Sequence, residues 1–332
     1  MKAIQMAEPG GPEVLQLTEA PLPALTEPTQ IRVRLKAAGV NPVDTKLRAR
    51  GTYFPERMPA ILGCDGAGVV EATGEGARRF QVGDAVYFCH GGIGHPPGNY
   101  AEYAVLDERF AAAKPRSLDF AEAAATPLVC ITAWEALHER GRMQPGQRVL
   151  VHAGAGGVGH VAIQLAKAHG CRVVTTVSSA EKAEQARALG ADQAVNYRET
   201  DWVEAVTAWS GGSGVDLALD TVGGTTFQET FRAVRPYGDL VSLLQPGPDI
   251  DWKQARLRNL RTGLELMLSP MYFGWTEAQA HQAGILEQCA HLFDAGELEV
   301  RLARCFTLAE AAEAHRLLEA GGMAGKAVLL TE

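Results

Sequence analysis

Gly154, Gly156 and Gly159 stand in a G-x-G-x-x-G spacing within a stretch that reads RVLVHAGAGGVGHVAIQLAKAHG from Arg148 to Gly170. Glycines so placed let the chain turn sharply, let a pyrophosphate approach the backbone with no Cβ in the way, and let a helix pack tightly on the preceding strand. The free N–H groups of the helix start, at Gly157 and Val158, and the positive end of the helix then face the phosphates. The elements that must position such a turn are present. Val149, Leu150 and Val151 form an unbroken apolar run that predicts a buried strand, and Val161, Ala162, Leu165 and Ala166 recur at helical intervals. With strand, turn and helix in order, the stretch predicts a dinucleotide site rather than a flexible glycine loop.

A second strand is expected at Cys171–Val177. A dinucleotide lacking a 2′-phosphate usually meets an Asp or Glu about 20 residues past the turn, which accepts from the ribose hydroxyls. None stands at the end of this strand; the chain reads Ser178, Ser179, Ala180, Glu181, Lys182 instead. Hydroxyls, a helix start and a cation suit a 2′-phosphate, which favours NADPH over NADH. The same residues also read as a capping box of Ser178 with Glu181, with Lys182 a solvated helix residue. The two readings are compatible, because a cap hydroxyl sits where a phosphate would dock.

The composition is that of a globular protein: 332 residues, 46% hydrophobic and 21% charged, enough chain for two domains. A net charge of −8 argues against nucleic acid or an anionic membrane as the main partner. The start, MKAIQMAEPGG, reads as a strand that reaches acidic and glycine residues too early for a signal peptide, and no apolar run approaches a membrane span. A cytoplasmic location is expected. Cys64, Cys89, Cys130, Cys171, Cys289 and Cys305 are scattered singly, unlike a disulfide framework or a zinc knuckle, and are read as reduced, mostly buried thiols.

Residues 1 to about 122 are strand-rich and broken by Gly and Pro, with Ile31–Leu35 (IRVRL), Ala85–Phe88 and Ala101–Leu106 among the expected strands. From Gln147 to about Gln245 strands and helices alternate, which demands a parallel sheet with covering helices. The tail carries a helix at Glu277–Ala295 and a closing strand at Lys326–Leu330 and is expected to return to the first domain. The fold class is therefore α/β: a Rossmann doubly wound parallel sheet over residues 123–265, and a β-rich domain from 1–122 completed by 266–332.

Several stretches together resemble the medium-chain dehydrogenase/reductase superfamily, and within it the zinc-free quinone oxidoreductases typified by zeta-crystallin. They are AAGVNPVDTKLRARGTY (Ala37–Tyr53), LGCDGAGVVEATGEGARRFQVGDAVY (Leu62–Tyr87), GNYAEY (Gly98–Tyr103), the glycine turn and DLALDTVGG (Asp216–Gly224). The resemblance implies a GroES-like catalytic domain, a Rossmann domain with the cofactor in the cleft, and a homodimer joined through the Rossmann sheets. Zinc alcohol dehydrogenases place a Cys ligand where this chain has Asn41, a His-Glu pair where it has Cys64 and Asp65, and a third ligand near Leu128. A catalytic zinc needs three Cys, His or carboxylate ligands. That count is not met, and no metal is expected; His90 or His95 beside Cys64 and Asp65 is the weaker alternative to a packed thiol and a hydrogen-bonding carboxylate. His152 and His160, which flank the turn, are read as satisfied structural histidines.

Without a Lewis acid an alcohol is hard to ionise, whereas a quinone or an α,β-unsaturated carbonyl takes a hydride at an electrophilic carbon and spreads charge onto its oxygen. Hydrogen-bond donors stabilise that oxygen. The candidates are Asn41, in the place of a lost metal ligand, Tyr53, which matches the tyrosine of the zeta-crystallin GTY stretch, and Asp44. For Asp44 a helix cap, and for Tyr53 an aromatic lid, are the alternatives. By the same resemblance Thr132 lies beside the nicotinamide, Tyr197 near the adenosine phosphate, Thr221, Val222 and Gly223 at the end of the fourth Rossmann strand, Leu243, Leu244 and Gln245 at the end of the fifth, and Lys326 near the cofactor. Lys46 replaces an aromatic residue of some bacterial relatives, and the loop Cys89–Gly98 (CHGGIGHPPG) is individual to this chain. The reading is an NADPH-dependent, zinc-independent reductase of quinones or activated alkenes. An enoyl-thioester reductase and a non-enzymatic NADPH-binding protein are the alternatives.

Overall fold

The apolar runs after residue 147 fold as six strands, Arg148–Val151, Arg172–Val177, Gln193–Asn196, Val215–Asp220, Val234–Ser242 and Arg261–Leu264. All neighbouring pairs are parallel. In sheet order they run third, second, first, fourth, fifth, sixth. The chain therefore winds outward from the first strand to one side and then crosses to the other, and the reversal lies between the first and fourth strands. Helices such as Gly157–Ala168 and Gly224–Ala233 connect the strands. Strands covered on both faces read as continuous apolar runs rather than alternating ones. Leu150, Val174, Ala218 and Leu240 are buried in one cluster with Val206 of the helix Trp202–Trp209 and with Phe227 and Phe231 of Gly224–Ala233.

This computed structural model describes residues 1–331 and resolves into two units, Val129–Met267 and Met1–Leu128 with the chain from Leu268 onward. The sequence pattern alone places these boundaries at residues 122 and 265. The helix Phe120–Ala124 goes with the first unit because it lies against the strand Gln30–Val40: a Cβ on Gly39 would sit 2.4 Å from the Ala124 carbonyl oxygen. The stretch after Asp119 forms two helices, Phe120–Ala124 and Pro127–Trp134, the second continued by a wider-turned segment Glu135–Arg140.

The first unit is built on a seven-stranded sheet centred on Gln30–Val40, which pairs antiparallel with Asp65–Thr73 on one side and with Lys326–Leu330 on the other. The penultimate stretch of the chain thus completes a sheet begun within the first forty residues. Ile31, Val33 and Leu35 point into a core with Val70, Val86, Phe88 and Leu106, while Arg34 is exposed and Arg32 half-buried. That is the alternation expected of a strand with one wet face. A three-stranded sheet of Leu15–Glu19, Lys2–Met6 and Ala60–Ile61 lies beside it. Among the described residues no helix is long and apolar enough to cross a membrane, and all six cysteines are free, five of them buried and Cys305 exposed.

Candidate active site

The glycine turn follows the first strand of the parallel sheet, with Gly156 as the cap of the helix Gly157–Ala168. Its three glycines are required for different reasons. A Cβ on Gly154 would lie 2.1 Å from Thr175 Oγ1, and one on Gly159 would lie 2.2 Å from the Ala153 carbonyl oxygen, so both are closed in by the protein itself. A Cβ on Gly156 meets only the Ala153 oxygen, at 3.1 Å. Gly156 therefore faces open space beside the first-turn N–H groups, which have no intrahelical acceptor. A backbone cradle that a side chain would fill, at the positive end of a helix, fits a pyrophosphate.

The strand ends bring most of the other expected cofactor residues to the same edge of that sheet. Ser178, Ser179 and Lys182 follow the second strand, Tyr197 the third, Thr221, Val222 and Gly223 the fourth, and Leu243, Leu244 and Gln245 the fifth. Tyr197 and Val222 are exposed. Thr221 Oγ1 donates to the His152 carbonyl oxygen at 2.9 Å, and Asp220 Oδ1 accepts from the N–H groups of Val222 and Gly223 at 2.9 Å each, which fixes this loop. Thr132 is buried on the helix Pro127–Trp134, away from these strand ends in sequence. The capping reading needs one correction. The cap of the helix Ala180–Ala188 is Ser179, whose Oγ accepts from Lys182 N at 3.3 Å, not Ser178. Ser178 is left for other contacts.

Both histidines of the turn are structural. Burial pushes His152 down to about 4, and its ring nitrogens meet Thr176 Oγ1 at 3.0 Å and Thr230 Oγ1 at 2.9 Å. His160 Nδ1 lies 3.0 Å from the Gly156 carbonyl oxygen.

In the other unit the residues expected to touch an acceptor are held in a buried polar cluster. Asn41 caps the helix Pro42–Arg50, and Asp44 Oδ2 accepts from Asn41 N at 2.8 Å, so Asp44 closes a capping box from inside the first turn instead of capping the helix itself. Asn41 Nδ2 donates to Asp65 Oδ2 at 2.8 Å, and Lys326 Nζ donates to Asn41 Oδ1. The same ammonium lies 3.8 Å from Asp65 Oδ2, while Asp65 Oδ1 accepts from Leu128 N at 2.8 Å. Burial raises the Asp65 carboxyl, and Lys326 opposes that shift. Asp44 is pushed up to about 7 by burial. Asp44 Oδ2 accepts from both Asn41 N and the Tyr100 hydroxyl (3.0 Å), and Asp44 Oδ1 accepts from the Cys64 thiol at 3.9 Å. The Tyr100 oxygen in turn lies 3.1 Å from His315 Nε2. With its O–H spent on Asp44, Tyr100 accepts there, so His315 carries its proton on Nε2 and leaves the buried Nδ1 bare.

Asn41, Asp44, Asp65 and Lys326 are thus all enclosed with their polar ends engaged. The sequence leads to the expectation that Asn41 and Asp44 face an acceptor and that Lys326 approaches the cofactor; the structure brings all three together in this buried cluster. The physical reason is the pairing across 285 residues of Lys326 with Asn41, which spacing along the chain does not show. Tyr100 and His315 were missed; Tyr100 lies in the GNYAEY stretch, the one signal that pointed to it. Tyr53, by contrast, is 43% exposed. It follows the helix Pro42–Arg50, and its ring meets Tyr272 edge-on at 5.3 Å between centroids.

Residues 27–116 match the alcohol dehydrogenase GroES-like domain, and residues 189–329 match the zinc-binding dehydrogenase family. The quinone oxidoreductase of Pseudomonas aeruginosa is 35% identical over 329 residues, covering 99% of each chain. The chain belongs to the quinone oxidoreductase branch of the medium-chain dehydrogenase/reductase family. The 2-haloacrylate reductase of a Burkholderia species is 33% identical over 92% of each chain. The crystal structure of the Escherichia coli quinone oxidoreductase complexed with NADPH superposes with a TM-score of 0.87 at 30% identity, over the whole of both chains. As a member of this family the chain is a pyridine-nucleotide-dependent oxidoreductase that acts on a small molecule, with a GroES-like domain and a Rossmann sheet.

The family description that mentions zinc is tested by the donor set. At the positions of the metal ligands of zinc members stand an amide, a thiol beside a carboxylate, and a leucine. The Lys326 ammonium already occupies the cation's place against Asn41 Oδ1 and Asp65. A protonated amine and a divalent ion do not share such a pocket. These residues do not fit a zinc ion.

Proposed function

We propose that the chain is an NADPH-dependent, zinc-independent reductase of quinones or α,β-unsaturated carbonyls, acting as a cytoplasmic homodimer. The observation that carries the nucleotide assignment is the open Gly156 at a helix start between two closed glycines, at the strand ends of a doubly wound sheet. The nucleotide is assigned to the unit Val129–Met267 and the acceptor chemistry to the other. Gly156, Gly157 and Val158 would hold the pyrophosphate through their backbone. Ser178, with Ser179 and Lys182 at the next helix start, would hold the 2′-phosphate. Tyr197, Thr221 to Gly223, Leu243 to Gln245 and Thr132 would line the rest.

Bound NADPH supplies a hydride to the acceptor's electrophilic carbon. Tyr53 is the residue proposed to meet the acceptor, because its phenol is exposed and carries an O–H donor for the oxygen on which charge develops. Asn41 and Asp44 are positioning residues. Their reciprocal bonds cap the helix Pro42–Arg50 that leads to Tyr53, and Lys326 with Asp65 anchors that cap to the sheet. Conjugated acceptors suit this site, since delocalised charge needs one good donor and no metal.

The homodimer reading is supported by the edge of the parallel sheet. Among the described residues the strand Arg261–Leu264 pairs on one side only, with Leu264 57% and Leu266 55% exposed. An unpaired edge with apolar side chains is a template for a second copy. Sedimentation of the wild type and of Leu266→Asp is expected to give dimer and monomer respectively. Free, buried thiols support the cytoplasmic reading.

The first experiment follows NADPH absorbance against ortho- and para-quinones, enones, enals and one enoyl thioester, with a chelator present throughout. Turnover of quinones or enones is expected. Tight NADPH binding with no turnover would support the binding-protein alternative. Lys182→Ala is expected to raise KM for NADPH far more than for NADH, and equal changes would remove the phosphate assignment.

A further inference from the structure

Ala153, which leads into the glycine turn, has a left-handed backbone at φ +51° although it is not a glycine. Such a conformation is unfavourable for a residue with a Cβ and persists only where its surroundings impose it. Here it sets the direction of the Ala153 carbonyl, which accepts from Gly156 N at 2.8 Å and lies 2.2 Å from where a Cβ on Gly159 would stand. That carbonyl is the pivot of the cradle. On its other side the Ala153 N–H donates to Thr176 Oγ1 at 3.2 Å. The donors behind this bond can be ordered from their partners. Thr230 Oγ1 donates to the Thr226 carbonyl oxygen at 2.6 Å within the helix Gly224–Ala233. A hydroxyl has one proton, so Thr230 accepts from His152 Nε2, 2.9 Å away, and the imidazole carries its proton there. His152 Nδ1 is left with a lone pair and accepts from the Thr176 hydroxyl at 3.0 Å. With its hydrogen drawn to the ring, Thr176 Oγ1 turns a lone pair to the Ala153 N–H. The other tautomer would set two lone pairs against each other between Nε2 and Thr230. His152, Thr176 and Thr230 are all buried, and the Trp202 ring packs on the imidazole at 4.7 Å between centroids.

We propose that His152 is a positioning residue for the dinucleotide: through the Thr176 hydroxyl it holds Ala153 left-handed, and with it the carbonyl that keeps Gly156 open to the pyrophosphate. The role rests on the reading that this turn binds the pyrophosphate. The imidazole acts through Thr176 and Ala153, so its effect falls on nucleotide affinity. Glycine adopts a left-handed φ freely, so Ala153→Gly makes the relay redundant.

The full chain is titrated with NADPH by nucleotide fluorescence as wild type, His152→Phe, Ala153→Gly, the double variant and Gly156→Ala, with thermal melts alongside. His152→Phe keeps a ring against Trp202 and removes both nitrogens. It is expected to weaken NADPH about ten-fold, the ratio that matches the usual penalty of a left-handed residue other than glycine. In the Ala153→Gly background the same substitution is expected to change affinity by less than about two-fold. A lower melting temperature is expected in both backgrounds, so a role confined to stability would show no such cancellation in affinity. Thr176→Val, which removes the hydroxyl, is expected to repeat the pattern and decides the matter should His152→Phe fail to fold. Full NADPH affinity in folded His152→Phe or in Thr176→Val, or equal losses with and without Ala153→Gly, overturns the role. If Gly156→Ala is weakened while those variants bind fully, the role alone falls and the pyrophosphate reading stands. Full affinity in Gly156→Ala overturns that reading and this role with it.

Discussion

The strand ends of the Val129–Met267 unit and the buried cluster around Asn41 are built by opposite means. At the strand ends the functional groups are backbone N–H groups and short side chains, placed by consecutive residues after each strand. In the cluster they are long or charged side chains whose partners are 24 residues apart for Asn41 and Asp65, 56 for Asp44 and Tyr100, and 285 for Lys326 and Asn41. The difference teaches that a backbone site depends on what is absent, a Cβ, whereas a side-chain cluster depends on every charge having its partner. Damage to the first should be local, and damage to the second should be global and pH-dependent.

The largest effect expected from this contrast is on Lys326. Lys326→Met leaves Asp65 buried without its counter-charge and should cost about 3–5 kcal/mol at pH 8 in denaturant unfolding. The deficit should shrink as pH falls, because a carboxyl already raised by burial takes up a proton. A deficit independent of pH would mean that the lysine acts through packing alone.

Asp44 gives the next effect, of a few kcal/mol. Its carboxyl holds a proton up to about pH 7 in the folded chain and loses it near 3.8 when unfolded. Between those values the native state binds more protons, so stability falls as pH rises. The wild type should therefore lose stability relative to Asp44→Asn from about pH 4 to pH 7, with a flat difference above. The buried His315, held at about 3, contributes the opposite slope below pH 6.5 and is common to both chains, so it cancels from the difference. Thermal melts of both proteins across pH 4–9 check this, and a difference that grows in favour of the wild type would contradict the buried proton.

Gly154→Ala should cost about 1–3 kcal/mol, because its Cβ meets Thr175 Oγ1 and Ile163 Cδ1 at 2.1 and 2.8 Å. Gly156→Ala should leave stability within about 0.5 kcal/mol and weaken NADPH in a fluorescence titration. Normal NADPH binding by Gly156→Ala would place the pyrophosphate elsewhere. The smallest effect is at the second helix start: Ser179→Ala should lose about 1 kcal/mol as a cap and Ser178→Ala close to none.

The glycine turn was legible because its geometry is local: strand, turn and helix occupy consecutive residues, and only glycine satisfies the closures at Gly154 and Gly159. The closing strand Lys326–Leu330 was legible as an apolar run, and its pairing partner Gln30–Val40 was not. The resemblance stretches located Asn41, Asp44 and Tyr53, yet the structure separates them, two buried and one exposed. The cap at Ser179 instead of Ser178 was a one-residue misreading, since adjacent serines are equivalent until the backbone selects one.

The sequence by itself determined the α/β architecture, the glycine turn and the missing metal-ligand types, because periodicity, Cβ absence and residue identity are properties of neighbouring positions. Only the tertiary structure decided that Lys326 lies against Asn41 and Asp65, that Tyr100 links Asp44 to His315, and that His152 joins Thr176 to Thr230. Those facts follow from how distant strands and helices pack, and charge pairing, burial and proton positions exist only once that packing has brought the groups together.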